Sequence, residues 1–151
     1  MKQKIALLFL LLFVIPMTGY AADGDADGIE LIINGKRQVY EQGITVSTPA
    51  AGKNYIIVPA DGIAAALGAL CSVEQNKATL TKGSDCVVLS ADSKTALING
   101  KKREMPVPAQ ITDGTLFVPA ETVGAAFGYR VFRERAGKRV RIVSRTELTA
   151  P

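Results

Sequence analysis

The chain of 151 residues contains no histidine, and this absence restricts the chemistry that its other side chains can perform. Imidazole is the usual ligand in protein copper sites, a common zinc ligand and the usual base beside a catalytic serine or cysteine. The sequence also has no G-x-S-x-G nucleophile turn and no glycine-rich phosphate-binding loop. We therefore predict a protein that is not an enzyme and that binds no cofactor or catalytic metal.

One short acidic stretch has the spacing of a calcium ligand set. Asp23, Asp25, Asp27 and Gly28 match the opening of an EF-hand loop, in which alternate carboxylates bind Ca²⁺. The twelfth loop position, however, is Asn34 instead of the bidentate glutamate. We therefore interpret residues 22–28 as a solvated acidic linker and predict no metal site there.

Cys71 and Cys86 are the two cysteines of the chain. In an oxidising compartment two cysteines tend to pair, so we predict an intramolecular disulfide between them. The alternative is a pair of free thiols, because strands arranged as a simple meander would hold the two residues too far apart.

A cluster of basic residues, here called the basic ribbon, precedes the carboxyl-terminal tail. Alternation along a strand-turn-strand hairpin predicts that Arg139 and Arg141 share one face, with Val140 and Ile142 on the other. The candidate contacts for an anionic polymer or for phospholipid headgroups are Arg130, Arg133, Arg135, Lys138, Arg139 and Arg141. The alternative is a solvated edge that its charges protect from aggregation. Nucleic acid is not expected as a partner of an exported protein.

The amino terminus has the pattern of a secretory signal peptide. Lys2 and Lys4 precede an apolar run, and small residues then lead to a cleavage position after Ala21. We predict a signal peptide over residues 1–21 and an exported mature protein, with no transmembrane span after cleavage. An uncleaved membrane anchor is the alternative. Cleavage removes two lysines and no acid, so the net charge falls from +4 to +2.

A strand-helix unit occurs twice and organises the rest of the chain. IIVPADGIAAALG (56–68) aligns without a gap with LFVPAETVGAAFG (116–128). In each copy a proline ends an apolar strand, an acidic residue falls in the first helical turn, and a glycine follows the apolar stripe of a short helix. This pattern predicts two helices of about two and a half turns that depend on packing for their stability.

The duplication extends beyond these units. An I-N-G-K turn precedes each unit and two strands follow it, which defines repeats over about 29–89 and about 96–143. A single repeat has too little core to be stable alone. We therefore predict one α+β domain over residues 29–145, with mainly antiparallel strands in one fused sheet or in two sheets that share a core. Residues 146–151 are predicted to be a frayed tail.

The order of these motifs resembles the copper amine oxidase N-terminal-like domain, a secreted or surface module found mostly in Gram-positive bacteria. The resemblance rests on I-N-G-K, on x-V-P-A-x-x-(I/V)-x-A-A-(L/F)-G, and on strands that end K-A-T-L or R-V-R-I. It implies a stalk-type domain, rich in strands around a helix, without catalytic residues. Two departures concern its surface: Asp61 and Glu121 replace the arginine of the family pattern, and the chain has no tryptophan.

The resemblance does not extend to amine oxidase chemistry. That reaction requires three histidines and a tyrosine within N-Y-(D/E), whereas Asn54-Tyr55 is followed here by Ile56. We predict a non-catalytic exported module of the cell envelope that is structural or mediates interactions. The alternative is a binding module for anionic cell-wall polymer or polysaccharide. The candidate partners are cell-wall polymer or another envelope protein.

Overall fold

A computed structural model describes residues 28–49 and 52–146 of the chain. The predicted signal peptide (1–21) lies outside these residues, as do nearly all of the predicted linker (22–28) and tail (146–151). The carboxylates of the EF-hand-like stretch belong to that linker and therefore also lie outside the described part. Within the described part the fold is α+β, with mostly antiparallel strands and two short helices, as the sequence predicted.

Thirteen strands and two α-helices follow one another along the described residues. They are β1 (Glu30–Ile33), β2 (Lys36–Arg37), β3 (Thr45–Ser47), β4 (Tyr55–Pro59), α1 (Ala60–Ala66), β5 (Leu70–Glu74), β6 (Lys77–Lys82), β7 (Asp85–Ser90), β8 (Thr95–Ile98), β9 (Lys101–Glu104), β10 (Gln110–Thr112), β11 (Thr115–Pro119), α2 (Ala120–Ala126), β12 (Arg130–Glu134) and β13 (Arg139–Val143). A single 3₁₀ turn, Arg135–Gly137, connects the last two strands.

The strands form three sheets in the described part of the chain. The ribbon sheet has the order β12-β13-β1-β2, the joining sheet β10-β11-β4-β3, and the meander sheet β5-β6-β7-β8-β9. Neighbouring strands are antiparallel except β1 and β13, which are parallel and bring the two ends of the domain together. The prediction of one or two sheets was wrong. The β1–β2 hairpin pairs with β13 and the β8–β9 hairpin pairs with β7, so the two hairpins extend separate sheets.

Each helix begins and ends where the local sequence requires it. Pro59 and Pro119 are the last residues of β4 and β11, and a seven-residue helix follows each of them. Gly68 has φ 71° and Gly128 has φ 80°, the left-handed conformation that a glycine adopts without a steric penalty. At the first helix, the Gly68 N–H donates to the Ala65 carbonyl at 3.1 Å and the next N–H donates to Ala64 at 2.8 Å. These two bonds form a Schellman cap.

The Asn-Gly turns have a second function besides reversing the chain. Asn34 has φ 47° and Asn99 has φ 51°, each followed by a glycine of positive φ, as a type I′ hairpin turn requires. The Asn34 Oδ1 accepts a hydrogen bond from the Ser144 N–H at 2.7 Å, and the Asn99 Oδ1 accepts one from the Cys86 N–H at 2.8 Å. Each asparagine therefore also fixes the end of a neighbouring strand.

The core lies where the strand-helix units meet. β4 and β11 pair with Val58 opposite Val118, and both side chains are fully buried. Ile63 of α1 and Val123 of α2 pack into the same apolar cluster, to which the meander and ribbon sheets also contribute. Burial of this continuous cluster is the main stabilising term of the domain, since the helices are too short to form alone.

Candidate functional site

The two cysteines lie on strands that are not neighbours. Cys71 is on β5 and Cys86 on β7, with β6 between them, so about 10 Å separates the two strands. Cys71 pairs with Leu80 and Cys86 with Thr81, and these adjacent β6 residues point to opposite faces of the sheet. A disulfide spans at most about 7 Å between Cα atoms. Both thiols are free, so the predicted disulfide was wrong and the meander alternative applies.

The Cys71 thiol does not have the environment of a nucleophile. Burial, with a smaller contribution from the Asp61 carboxylate, raises the pKa of the Cys71 thiol. Reactive cysteines have a lowered pKa, because the thiolate is the nucleophilic form. Cys71 therefore behaves as a small apolar residue of the meander sheet.

The structure separates the basic ribbon into three groups. Arg139 and Arg141 of β13 point to the outer face of the ribbon sheet, while Val140 and Ile142 are buried on its inner face. Arg133 pairs with Val140 and therefore lies on that inner side, at the edge of the sheet. The remaining members are Arg130 at the start of β12, Arg135 in the turn and Lys138 directly after it.

Carboxylates of the same chain neutralise the outer-face arginines. Arg139 donates from Nε to Glu30 on the parallel strand β1, and its Nη1 lies 3.8 Å from Glu134. Arg141 donates from Nε to Glu134 at 2.8 Å, and its guanidinium lies 5.1 Å from the centre of the Phe132 ring. The hydrogen bond from Arg139 lowers the pKa of Glu30. These contacts cross three strands and connect both ends of the domain.

Arg133 joins the turn to the second helix. Its guanidinium stacks 4.5 Å from the centre of the Tyr55 ring, donates to the Asn54 carbonyl, and lies 3.4 Å from Glu121. Burial raises the pKa of Glu121, and the charge of Arg133 only partly offsets this effect. A Cβ at Gly137 would lie 2.5 Å from the guanidinium, so the turn can approach Arg133 only because this residue is glycine. Arg133 is thus a packing residue.

The other three ribbon cations face solvent. Arg130, Arg135 and Lys138 are exposed and form no ion pair with another described residue. Arg135 belongs to the left-handed turn, with φ 51°, and not to the strand that contains Arg133. The alternation along the hairpin therefore does not continue into the turn, and the six cations do not form one stripe.

A cleft that the sequence did not indicate opens at the carboxyl end of the second helix. Lys82 donates to the Leu67 carbonyl at 2.7 Å and to the Tyr129 hydroxyl, and its Nζ lies 4.8 Å from the centre of the Tyr129 ring. The cleft has a volume of about 360 Å³ and is lined by Lys82, Phe127, Gly128, Tyr129, Ser144 and Arg145. It thus combines two cations, two aromatic rings and two hydroxyls. No local sequence motif predicts this cleft, because its lining residues come from three separate segments of the chain.

A comparison with protein families assigns this architecture. The family model "Copper amine oxidase N-terminal domain" matches residues 32–142, which is most of the chain and nearly all of the described part. The chain belongs to the copper amine oxidase N-terminal domain family. The resemblance found in the repeated motifs is therefore confirmed. A search of curated proteins found no significant match.

The copper amine oxidase N-terminal domain is a non-catalytic accessory domain of these enzymes. In the present member, the described residues include no group of three or more Cys, Asp and Glu side chains that is close enough to hold a metal ion. No helix within residues 28–49 and 52–146 is long and apolar enough to cross a membrane.

Proposed function

We propose that this domain is a non-catalytic module of the bacterial cell envelope, exported by the segment 1–21, and that it acts through structural or interaction contacts. The family supports this proposal, because the domain is an accessory domain in copper amine oxidases. The absence of histidine from the whole chain is consistent with it. We further infer that the two strand-helix units are copies of one ancestral unit. Their helices have equal length, and Val58 and Val118 occupy equivalent positions across the β4–β11 pair.

The observation that carries the proposal is that three of the six cations of the basic ribbon are neutralised within the domain. Arg133, Arg139 and Arg141 each contact a carboxylate of the same chain. An arginine used in this way contributes to packing and keeps an edge soluble, and it has less charge available for a polyanion. We therefore expect replacements in the ribbon to affect the stability of the domain more than its association with the envelope.

The test compares paired and unpaired ribbon cations. Arg139→Gln removes the contacts with Glu30 and Glu134, whereas Arg130→Gln is the matched control that breaks no ion pair between described residues. We expect Arg139→Gln to lower the melting temperature and Arg130→Gln to leave it within the small range of surface substitutions. Both variants should fractionate with the envelope as the wild type does. Loss of envelope association in both, with unchanged melting temperatures, would contradict the proposal.

A second candidate function is recognition of an anionic wall polymer, and the cleft beside Tyr129 favours it. The side chains of Lys82 and Arg145 supply positive charge next to two aromatic rings, which suits an acidic sugar or a polyol phosphate. Binding to isolated cell walls should then weaken as salt rises from low to physiological concentration. Arg145→Gln should weaken it further, while Lys101→Gln on the exposed strand β9 should not. Wall binding that is insensitive to salt and to Arg145 would exclude this function.

A further inference from the structure

Six strands form the edges of the three sheets, and the sequence protects five of them. A strand at a sheet edge has unpaired N–H and C=O groups that can pair with another chain, and charge, proline or short length usually prevents this. Strands β2, β9 and β12 carry lysine, arginine or glutamate at most positions. Strands β3 and β10 are only three residues long and have a proline within two residues. Strand β5 is the remaining edge among the described residues.

Strand β5 has none of these protections. It reads L-C-S-V-E over five residues, with no lysine, arginine or proline. Leu70 is 77% exposed and Val73 is 50% exposed, although both are large apolar side chains in a regular strand. The one charge, Glu74, lies at the end of the strand and pairs with Lys77 of β6. The free edge of β5 is therefore accessible and apolar along the stretch where its backbone N–H and C=O groups can pair with another strand.

The sequence of β5 is complementary to itself in an antiparallel arrangement. A two-fold axis at Ser72 places Ser72 opposite the same residue of a second copy, and Cys71 opposite Val73 of that copy. Leu70 then faces Glu74 of the other copy, so the two carboxylates lie at opposite ends of the pair. All five residues of β5 take part in this pairing, and no two like charges lie opposite each other.

The inner face of this edge has space for the added side chains. A cavity of about 180 Å³ lies beside Val73 and is lined also by Ala60, Asp61, Gly114, Thr115 and Leu116. In the arrangement about Ser72, the small Cys71 side chain of the second copy would enter this space. On the outer face, Leu70 would pack along the aliphatic part of Glu74 of the other copy.

We propose that the protein forms a two-fold dimer through β5, in which two meander sheets join into one continuous sheet of ten strands. This inference goes beyond the proposed function, because it names the partner surface and the occupant, a second copy of the chain. Backbone hydrogen bonds along β5 provide the pairing, and the exposed apolar side chains stabilise it. The dimer also covers the only unprotected edge of the described sheets.

The first experiment measures self-association by sedimentation velocity over about 1 μM to about 1 mM. The protein is purified from the envelope fraction of cells that express the full chain. We expect a reversible monomer–dimer equilibrium, which Leu70→Glu and Val73→Lys each weaken by about tenfold or more. The first variant opposes a like charge to Glu74 of the other copy, and the second places a charge among the apolar side chains at the joint. Val39→Lys is the matched control, since Val39 is equally exposed, at 79%, but lies outside the strands. Far-ultraviolet circular dichroism checks that each variant is folded.

The second experiment tests the register. In a background without the native thiols (Cys71→Ser, Cys86→Ser), Ser72→Cys places two thiols directly opposite each other, within reach of an intermolecular disulfide. Thr79→Cys is the control, because Thr79 pairs with Ser72 on the same face but lies one strand further from the joint. We expect a covalent dimer from the first variant and none from the second.

Each outcome bears on the proposal. A protein that remains monomeric over the whole concentration range overturns it, as does a dimer that is insensitive to both Leu70→Glu and Val73→Lys. A dimer that these two variants weaken but that Ser72→Cys does not cross-link would reject the pairing about Ser72. Pull-down of an unrelated envelope protein whose binding requires an intact β5 edge, without self-association, would assign the edge to a different partner.

Discussion

The packing of Tyr40 against the first helix gives a quantitative test of the fold. Gly62 lies inside α1, where glycine is about 1 kcal/mol less favourable than alanine. A Cβ at this position would lie 2.6 Å from two atoms of the Tyr40 ring, which is closer than van der Waals contact permits. The ring belongs to a loop and packs against the core, so Gly62→Ala must displace it.

The magnitude follows from the two opposing effects. A half-buried tyrosine covers roughly 100 Å², so displacement costs about 2.5 kcal/mol at about 25 cal/mol per Å². The gain in helix propensity returns about 1 kcal/mol. We therefore expect Gly62→Ala to lower the free energy of unfolding by about 1.5 kcal/mol. In a Tyr40→Ala background the ring is absent, and the same substitution should instead raise that free energy by about 1 kcal/mol.

Urea unfolding measures all four variants of this cycle, with the midpoint read at a constant slope. Ala65→Gly, at an exposed position of the same helix, calibrates the propensity effect and should cost about 1 kcal/mol. An equal stabilisation by Gly62→Ala with and without Tyr40 would refute the reasoning, because the ring would then move at no cost.

Four further variants test contacts at three residues. Burial raises the pKa of Tyr40 to about 12, so the tyrosine ionises in the unfolded chain first and stability should fall between about pH 10 and pH 12. Tyr40→Phe should remove most of this fall. The same pH profile of stability in the variant and the wild type would contradict the expectation. Burial also raises the pKa of Glu121, so the folded domain favours the neutral carboxyl and loses stability as pH rises through that pKa. Glu121→Gln should therefore raise the melting temperature at pH 7 but not at pH 3, whereas a decrease at pH 7 would mean that the ion pair with Arg133 outweighs burial. Asn99→Gly should lower the free energy of unfolding by about 1 kcal/mol, because the side-chain hydrogen bonds to Cys86 and Asp85 are lost. Asn99→Ala should lower it by about 1 kcal/mol more, because the backbone at residue 99 has a positive φ. The reverse order of the two variants in urea unfolding would refute this account of the turn.

Features that depend on a few consecutive residues could be predicted from the sequence. Pro59 ends a strand because it has no N–H, and Gly68 ends a helix because it lacks a Cβ. Asn34 and the glycine after it form a hairpin turn for the same steric reason. Two occurrences of one motif were sufficient to indicate the family, which the comparison confirmed.

The order of strands in the sheets, by contrast, is decided only in the tertiary structure. Cys71 and Cys86 are close in sequence, yet β6 separates them and directs them to opposite faces. Glu30 and Arg139 are far apart in sequence, yet they form an ion pair because β1 and β13 are parallel neighbours.

The same reason explains why the candidate sites could not be read from the sequence. Lys82 and Tyr129 meet because two segments pack together, and β5 is an open edge because no other described strand lies beside it. Local steric rules fix where each strand and helix begins and ends. Which strands become neighbours depends on the total apolar surface that is buried over the whole domain. No short stretch of the sequence determines that total.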